Sequence, residues 1–325
     1  MILTKTPFRM SFVGGGSDLP VFYRESEGAV ISSTIDKYVY VAVNRKFDTR
    51  VRLSYSKTED VLNSSEVEHP LVRSSLEMLR ITGGIEISSI ADIPSKGSGL
   101  GSSSSFTVGL LNALYCLKKI NISKLNLAMK ACEIEIDLCN EPIGKQDQYA
   151  ASVGGINLIR FLPNNAVIVE PINSMPEKIK RLEESILVFY TGLTRRTAEI
   201  LGKHIEVPPT SKEFYSMRKM VELCYEFKKE LENGEIKNLG QILHESWMKK
   251  IEINDKVITP EIGDYYQRGI LAGAYGGKIL GAGSGGFLMF IAPIQNHELI
   301  KRALSELRPM DINFENYGTQ IVYET

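Results

Sequence analysis

The chain has 325 residues, 43% hydrophobic and 24% charged, with 38 basic and 39 acidic side chains giving a net charge of −1. That length is about twice a common domain and predicts two lobes, while the even charge balance excludes a broad basic surface for nucleic acid or an anionic membrane. The four cysteines form no C-x-x-C pair, no signal-peptide layout opens the sequence and no apolar run reaches membrane-spanning length, so reduced thiols and a soluble, cytoplasmic protein are expected.

Residues 1–55 read mostly as strands. Pro7-Phe-Arg-Met-Ser-Phe-Val-Gly-Gly-Gly-Ser-Asp-Leu-Pro20 runs an apolar strand into three glycines followed by Ser17 and Asp18. Such a turn lets a ligand approach the backbone, and its carboxylate can accept hydrogen bonds from sugar hydroxyls. The plainer alternative is a tight turn capped by Ser17 or Asp18. Ala29–Ser33 and Tyr38–Val43 have the β-branched and aromatic content of two further strands. Residues 56–69 are polar and read as a loop-like insert, a candidate lid, before a helix over 70–82.

Ile85–Ala91 alternates like a strand, and Phe106–Leu117 has the apolar content of a buried helix. Between them stands Pro94-Ser-Lys-Gly-Ser-Gly-Leu-Gly-Ser-Ser-Ser-Ser105. Glycine at every second position suits neither helix nor strand but suits a loop whose N–H groups converge on an anion. The serines then fall at a helix N-terminus, where unpaired N–H groups and the helix dipole favour phosphate. Gly101 is not followed by Lys-Ser/Thr, so the loop is no Walker motif. Gly281, Gly283 and Gly286 do spell the dinucleotide pattern, but a strand-like run, Phe287–Ala292, follows where a helix would be needed. Strand, glycine-serine loop and helix in that order point to a nucleotide phosphate site.

Ser123 caps a predicted helix over 124–139 that bears Glu133, Glu135 and Asp137. Alternate positions fall on different faces, so at most one or two of these acids line a site. Glu135, between Ile134 and Ile136, fits a partly buried carboxylate, and Mg²⁺ is one counter-charge it could take. Glu141-Pro-Ile-Gly-Lys-Gln-Asp-Gln-Tyr149 sets Lys145 beside Asp147, either a surface pair or a base favoured by a nearby cation. Strands follow near 156–161, 166–171 and 185–190. Arg195 and Arg196 come just after the last, where they either face solvent or clamp a phosphate. Helices are predicted over 209–233, 236–250, 260–274 and 297–307, with a last strand near 320–322. Strands and helices do not alternate strictly, so the fold class is α+β, with lobes over 1–175 and 176–325.

The phosphate-loop pattern, the N-terminal Arg–strand–glycine–Asp segment and the late Gly-Ala-Gly-Ser-Gly-Gly-Phe occur in order along nearly the whole chain, which resembles the GHMP kinases. The resemblance implies an N-terminal lobe like the second domain of ribosomal protein S5 and a ferredoxin-like C-terminal lobe. It implies an ATP-dependent kinase in which Lys96, Gly97, Ser98, Gly99, Leu100, Gly101, Ser102, Ser103 and Ser104 bind ATP. Ser103, or its neighbour Ser102, and Glu135 would hold Mg²⁺. Asp147 would be the catalytic carboxylate with Arg9 beside it. Gly15, Gly16, Ser17 and Asp18 would bind the acceptor, whose phosphate falls to Lys145, Arg195 and Arg196. Gly283–Gly286 would support the phosphate loop. The segments Pro7–Pro20 and Pro142-Ile-Gly-Lys-Gln-Asp-Gln-Tyr-Ala-Ala151 look most like the branch that phosphorylates D-glycero-D-manno-heptose 7-phosphate at its anomeric hydroxyl. A free sugar such as fucose is the alternative acceptor. Gly-Gly-Gly-Ser stands where galactokinases have Glu-His, which argues against galactose. The expected partners are ATP and the sugar phosphate, and a homodimer is compatible with the sequence.

Overall fold

The computed structural model describes residues 1–93, 97–193 and 208–325. The N-terminal strand β1 (Ile2–Val13) pairs antiparallel with β2 (Gly28–Arg45), one long strand where the composition suggests two. The register shifts where Pro7 faces Tyr38 and Phe8 faces Ile35, leaving Asp36 and Lys37 in a bulge. Those polar residues interrupt the apolar pattern without ending the strand.

Residues 56–69 depart from the expected loop. β3 (Val51–Ser54) and β4 (Thr58–Val61) form a hairpin, and Asn63 caps a single helical turn at Ser64–Glu66. Glu59 ties the segment down by accepting bonds from the Tyr55 hydroxyl at 2.8 Å and the Glu68 amide at 2.7 Å. The candidate lid is therefore an extension of the sheet.

β5 (Ile85–Ala91) pairs with the second half of β2, and β6 (Ile156–Phe161), backed by β7 (Val167–Pro171), pairs with its first half. A second, antiparallel sheet contains β8 (Ile186–Tyr190), β9 (Gly276–Ile279), β10 (Phe287–Ile291) and β11 (Arg308–Pro309) in the order β11-β8-β10-β9. The chain then returns to the first sheet: β12 (Phe314–Glu315) pairs with β2 and β13 (Gln320–Glu324) with β1. A division at residue 175 is thus crossed by the last strands. The two-sheet α+β architecture is otherwise the one expected.

The helix Ser102–Leu117 packs on β1 and β2 through Val108 and Leu111, which places its N-terminus beside Arg9 of β1. Helices Lys212–Asn233 and Ile236–Ile253 lie between the sheets, the second contributing Trp247 to a core with Tyr266 and Phe290. Helix Pro260–Leu271 is three residues shorter than expected, and the helix expected to reach 307 ends at Ala303, where the chain turns toward β11. All four cysteines are free thiols. No helix among the described residues is long and apolar enough to cross a membrane.

Phe12 joins three distant segments. It is fully buried, stacks on Phe227 with ring centroids 5.3 Å apart and meets Phe314 edge-on at 6.3 Å. Phe12→Ala should therefore lower the unfolding free energy by about 3–5 kcal/mol, read from chemical denaturation midpoints.

Candidate active site

The loop before helix Ser102–Leu117 has the backbone that its glycines foretell. Gly101 caps the helix at φ +74°, a left-handed conformation that side chains rarely adopt. The first intrahelical bond runs from the Ser105 amide to the Gly101 carbonyl at 2.9 Å, so the amides of residues 102–104 have no helical acceptor. Against this loop lies the turn after β9. A Cβ on Gly99 would overlap the Leu280 carbonyl, and one on Gly281 would stand 2.5 Å from the Gly99 Cα. Each loop needs glycine because the other's backbone occupies the space of a side chain.

Together they border a cavity of about 200 Å³. Arg9, 4% exposed, spans its floor: Nε and Nη2 donate to the two carboxylate oxygens of Asp147 at 2.7 and 2.8 Å, and Nη1 donates to the Gly99 carbonyl at 2.7 Å. A planar guanidinium grips a carboxylate with two parallel N–H donors and turns a further one to a carbonyl, a fixed fork that a lysine ammonium lacks. Asp147 thus lies beside the phosphate loop, oriented and with its ionised form hydrogen-bonded.

Asp18 faces the same cavity from the first glycine turn. Its carboxylate accepts bonds from the Gly16 amide at 3.0 Å and from the amide and side chain of Gln146 at 3.1–3.2 Å. Burial raises its pKa, with the charge of Asp147 adding to the effect. Gly15 and Gly16 also line the space.

Glu135 is fully buried under the helix start, on a π-helical turn, Glu133–Leu138, that replaces the predicted straight α-helix. The wider turn directs Glu135 inward while Glu133 pairs with Lys130 at the surface. Ser103 and Ser104 hydroxyls and the Gln148 amide donate to Glu135 at 2.7, 2.7 and 2.6 Å. Burial nevertheless pushes its pKa up to about 7, and no cation lies within 4.0 Å among the described residues. An uncompensated carboxylate beside a serine hydroxyl is an oxygen donor set that fits Mg²⁺. No cluster of three or more His, Cys, Asp or Glu side chains suited to a metal occurs among the described residues. Such an ion would therefore draw its remaining ligands from phosphate and water. Ser103 rather than Ser102 stands at this carboxylate, since Ser102 bonds Ser98 at 2.7 Å.

Some expected residues lie elsewhere. Lys145 does not line the cavity: its ammonium binds Asn165 and sits 5.0 Å above the Tyr23 ring, so this expectation is corrected. The Ser17 hydroxyl is consumed within the turn, bonding the carbonyls of Gly14 and Ala29 at 2.8 and 2.9 Å and accepting from the Ala29 amide. It shapes the turn without facing the ligand space. Leu100 turns its side chain into the core and serves through its backbone, whose carbonyl accepts the Arg9 amide at 3.1 Å. Lys96, Arg195 and Arg196 lie outside the described residues.

The cavity residues that escaped the sequence include Gln146, Lys250 and Lys278. Lysines near a helix end and within a short strand look like solvent-facing positions. The only available signal was Lys278 standing among glycines and apolar residues.

The family model described as GHMP kinases N terminal domain matches residues 70–155, and the one described as GHMP kinases C terminal matches residues 227–309. A D-glycero-alpha-D-manno-heptose 7-phosphate kinase of Campylobacter jejuni is 29% identical, with 94% of each chain covered. A galactokinase of Pyrococcus furiosus is 29% identical over 88% of this chain and 87% of its own. The crystal structure of a D-glycero-D-manno-heptose 1-phosphate kinase from Bacteroides thetaiotaomicron superposes with a TM-score of 0.81 at 26% identity, covering both chains in full.

A carboxyl moved from its usual 4.5 to about 7 is worth up to about 3 kcal/mol. Burial tolerates the protonated acid, so this contribution is complete below about pH 4.5 and is lost as pH rises through 7. The metal-free protein should lose stability across that interval in denaturant titrations. Glu135→Gln should level that slope.

Proposed function

Since this chain belongs to the GHMP kinases, we propose that it transfers the terminal phosphoryl group of ATP to the anomeric hydroxyl of D-glycero-D-manno-heptose 7-phosphate, yielding the 1,7-bisphosphate and ADP. Kinase activity on an alcohol follows from the family, and the heptose phosphate kinase and galactokinase relatives support a sugar as the acceptor. The choice of acceptor is supported by the heptose phosphate kinase that aligns with 94% of the chain. The observation that supports the chemistry best is the Arg9–Asp147 pair, set between the helix-start amides and Asp18.

In this reading the amides of residues 102–104 and the glycine loop hold the nucleotide phosphates. Ser103 and Glu135 would hold Mg²⁺, which supplies charge neutralisation at the phosphates. Asp18, with Gly15 and Gly16, orients the sugar. Asp147 accepts the proton of the anomeric hydroxyl as that oxygen attacks the γ-phosphorus, the bond to the β-phosphate oxygen breaks and ADP departs. Arg9 keeps Asp147 aimed through its two hydrogen bonds, so the reaction is driven by alignment and charge rather than by a covalent intermediate.

A free-sugar acceptor such as fucose is the second reading. It is favoured by one observation: the ammonium of Lys145 is turned away from the cavity. Under the heptose 7-phosphate reading, with Lys145 turned away, Arg195 and Arg196 are the candidates for the acceptor's phosphate.

Asp147→Asn should keep ATP affinity while kcat falls by roughly 10² or more, and near-normal turnover would remove Asp147 from the mechanism. ATP consumption against a panel of free and phosphorylated sugars tests the acceptor. With the heptose phosphate as substrate, Arg195→Ala or Arg196→Ala should raise KM more than it does for the unphosphorylated sugar. An equal rise would place the phosphate elsewhere.

A further inference from the structure

We propose that Lys250, brought into the cavity by the last turn of helix Ile236–Ile253, is a further catalytic residue whose ammonium grips the phosphoryl group in flight. The proposal rests on the phosphoryl-transfer reading of the site but not on the identity of the acceptor.

Two lysines from the second half of the chain face this cavity, and among the described residues neither has a carboxylate oxygen within 4.0 Å. A cation withdrawn from water without a counter-ion is costly unless an anion is expected there. Lys278 is 4% exposed and spends two of its three donors on the carbonyls of Ser11 and Phe12, at 2.9 and 3.0 Å. It braces the strand that bears Arg9. Lys250 spends one donor, on the Gly281 carbonyl at 2.6 Å, and keeps two for a ligand. The helix C-terminus and that carbonyl hold its charge in place.

Position identifies the anion. Gly281 lies against Gly99, the Gly99 carbonyl accepts from Arg9, and Arg9 grips Asp147. Lys250 is therefore close along this chain of contacts to Asp147, the carboxylate beside which the acceptor oxygen must receive the phosphoryl group. A phosphate at the far end of a sugar acceptor would lie away from that point. Arg9, Asp18 and Lys278 are the charged groups around the ammonium. Burial, followed by the charge of Arg9, lowers its pKa to about 8, while Asp18 opposes the shift. Lys250 is thus a cation at neutral pH whose charge a phosphate would reinforce.

The test compares calorimetric affinities for ADP and for a non-hydrolysable ATP analogue, with and without the γ-phosphate contact. Lys250→Met should weaken the analogue by about tenfold or more while ADP stays within about twofold. Its kcat should fall about 10²–10³-fold with phosphorylated and unphosphorylated sugars alike, as when a donor to developing charge is lost. Lys250→Arg, which keeps the charge, should recover part of both effects. If Lys250→Met fails to fold, Lys250→Gln gives the same comparison. Equal weakening of ADP and analogue overturns the proposal, as does an effect confined to KM for the phosphorylated acceptor. Because the nucleotide measurement needs no sugar, it stands even if the heptose acceptor proves wrong.

Discussion

Arg9 holds three stretches of chain in one place. Its guanidinium binds a carboxylate 138 residues away and a loop carbonyl 90 residues away, from a strand at the very start of the sequence. Burying an ion pair is seldom the cheapest way to stabilise a fold, since desolvation cancels much of the attraction. What the pair supplies is position: removal of either partner would strand the other in a cavity wall. β1, the loop before helix Ser102–Leu117 and the first turn of helix Gln146–Val153 converge so that this one planar group can be shared.

Backbone contact does for the two lobes what Arg9 does within the first. Where Gly99 meets Gly281 the two backbones are in contact, so the glycine-serine loop rests directly on the turn after β9 of the second sheet. Lys250 and Lys278 reach the cavity from that side. The site is therefore a shared product of both halves, with carboxylates and helix-start amides from one and free cations from the other.

Much of this was legible because the relevant residues break local rules. Three alternating glycines and four serines fit no ordinary helix or strand, and they stood out as a loop before a helix. Asp18 and Asp147 were visible through the glycines near them. Other features depended on packing that no local pattern records. The π-turn that aims Glu135 inward has no propensity signature, and Lys145 looked better placed than Lys250 because chain neighbourhood was the only guide. The polar run at 56–69 read as a loop, although part of it forms the second strand of a hairpin and Glu59 and Asn63 accept local hydrogen bonds within it. The bulge at Asp36 and Lys37 likewise concealed a single strand.

The last strand, β13, lies beside the first, and the Thr325 amide returns a hydrogen bond to the Met1 carbonyl. During synthesis β1 must therefore wait, one flank unpaired, until β13 has emerged from the ribosome. An unpaired strand of this length is a template for association with a neighbour. Arg9 belongs to that waiting strand, and final closure of the sheet edge that carries it comes only once β13 has paired.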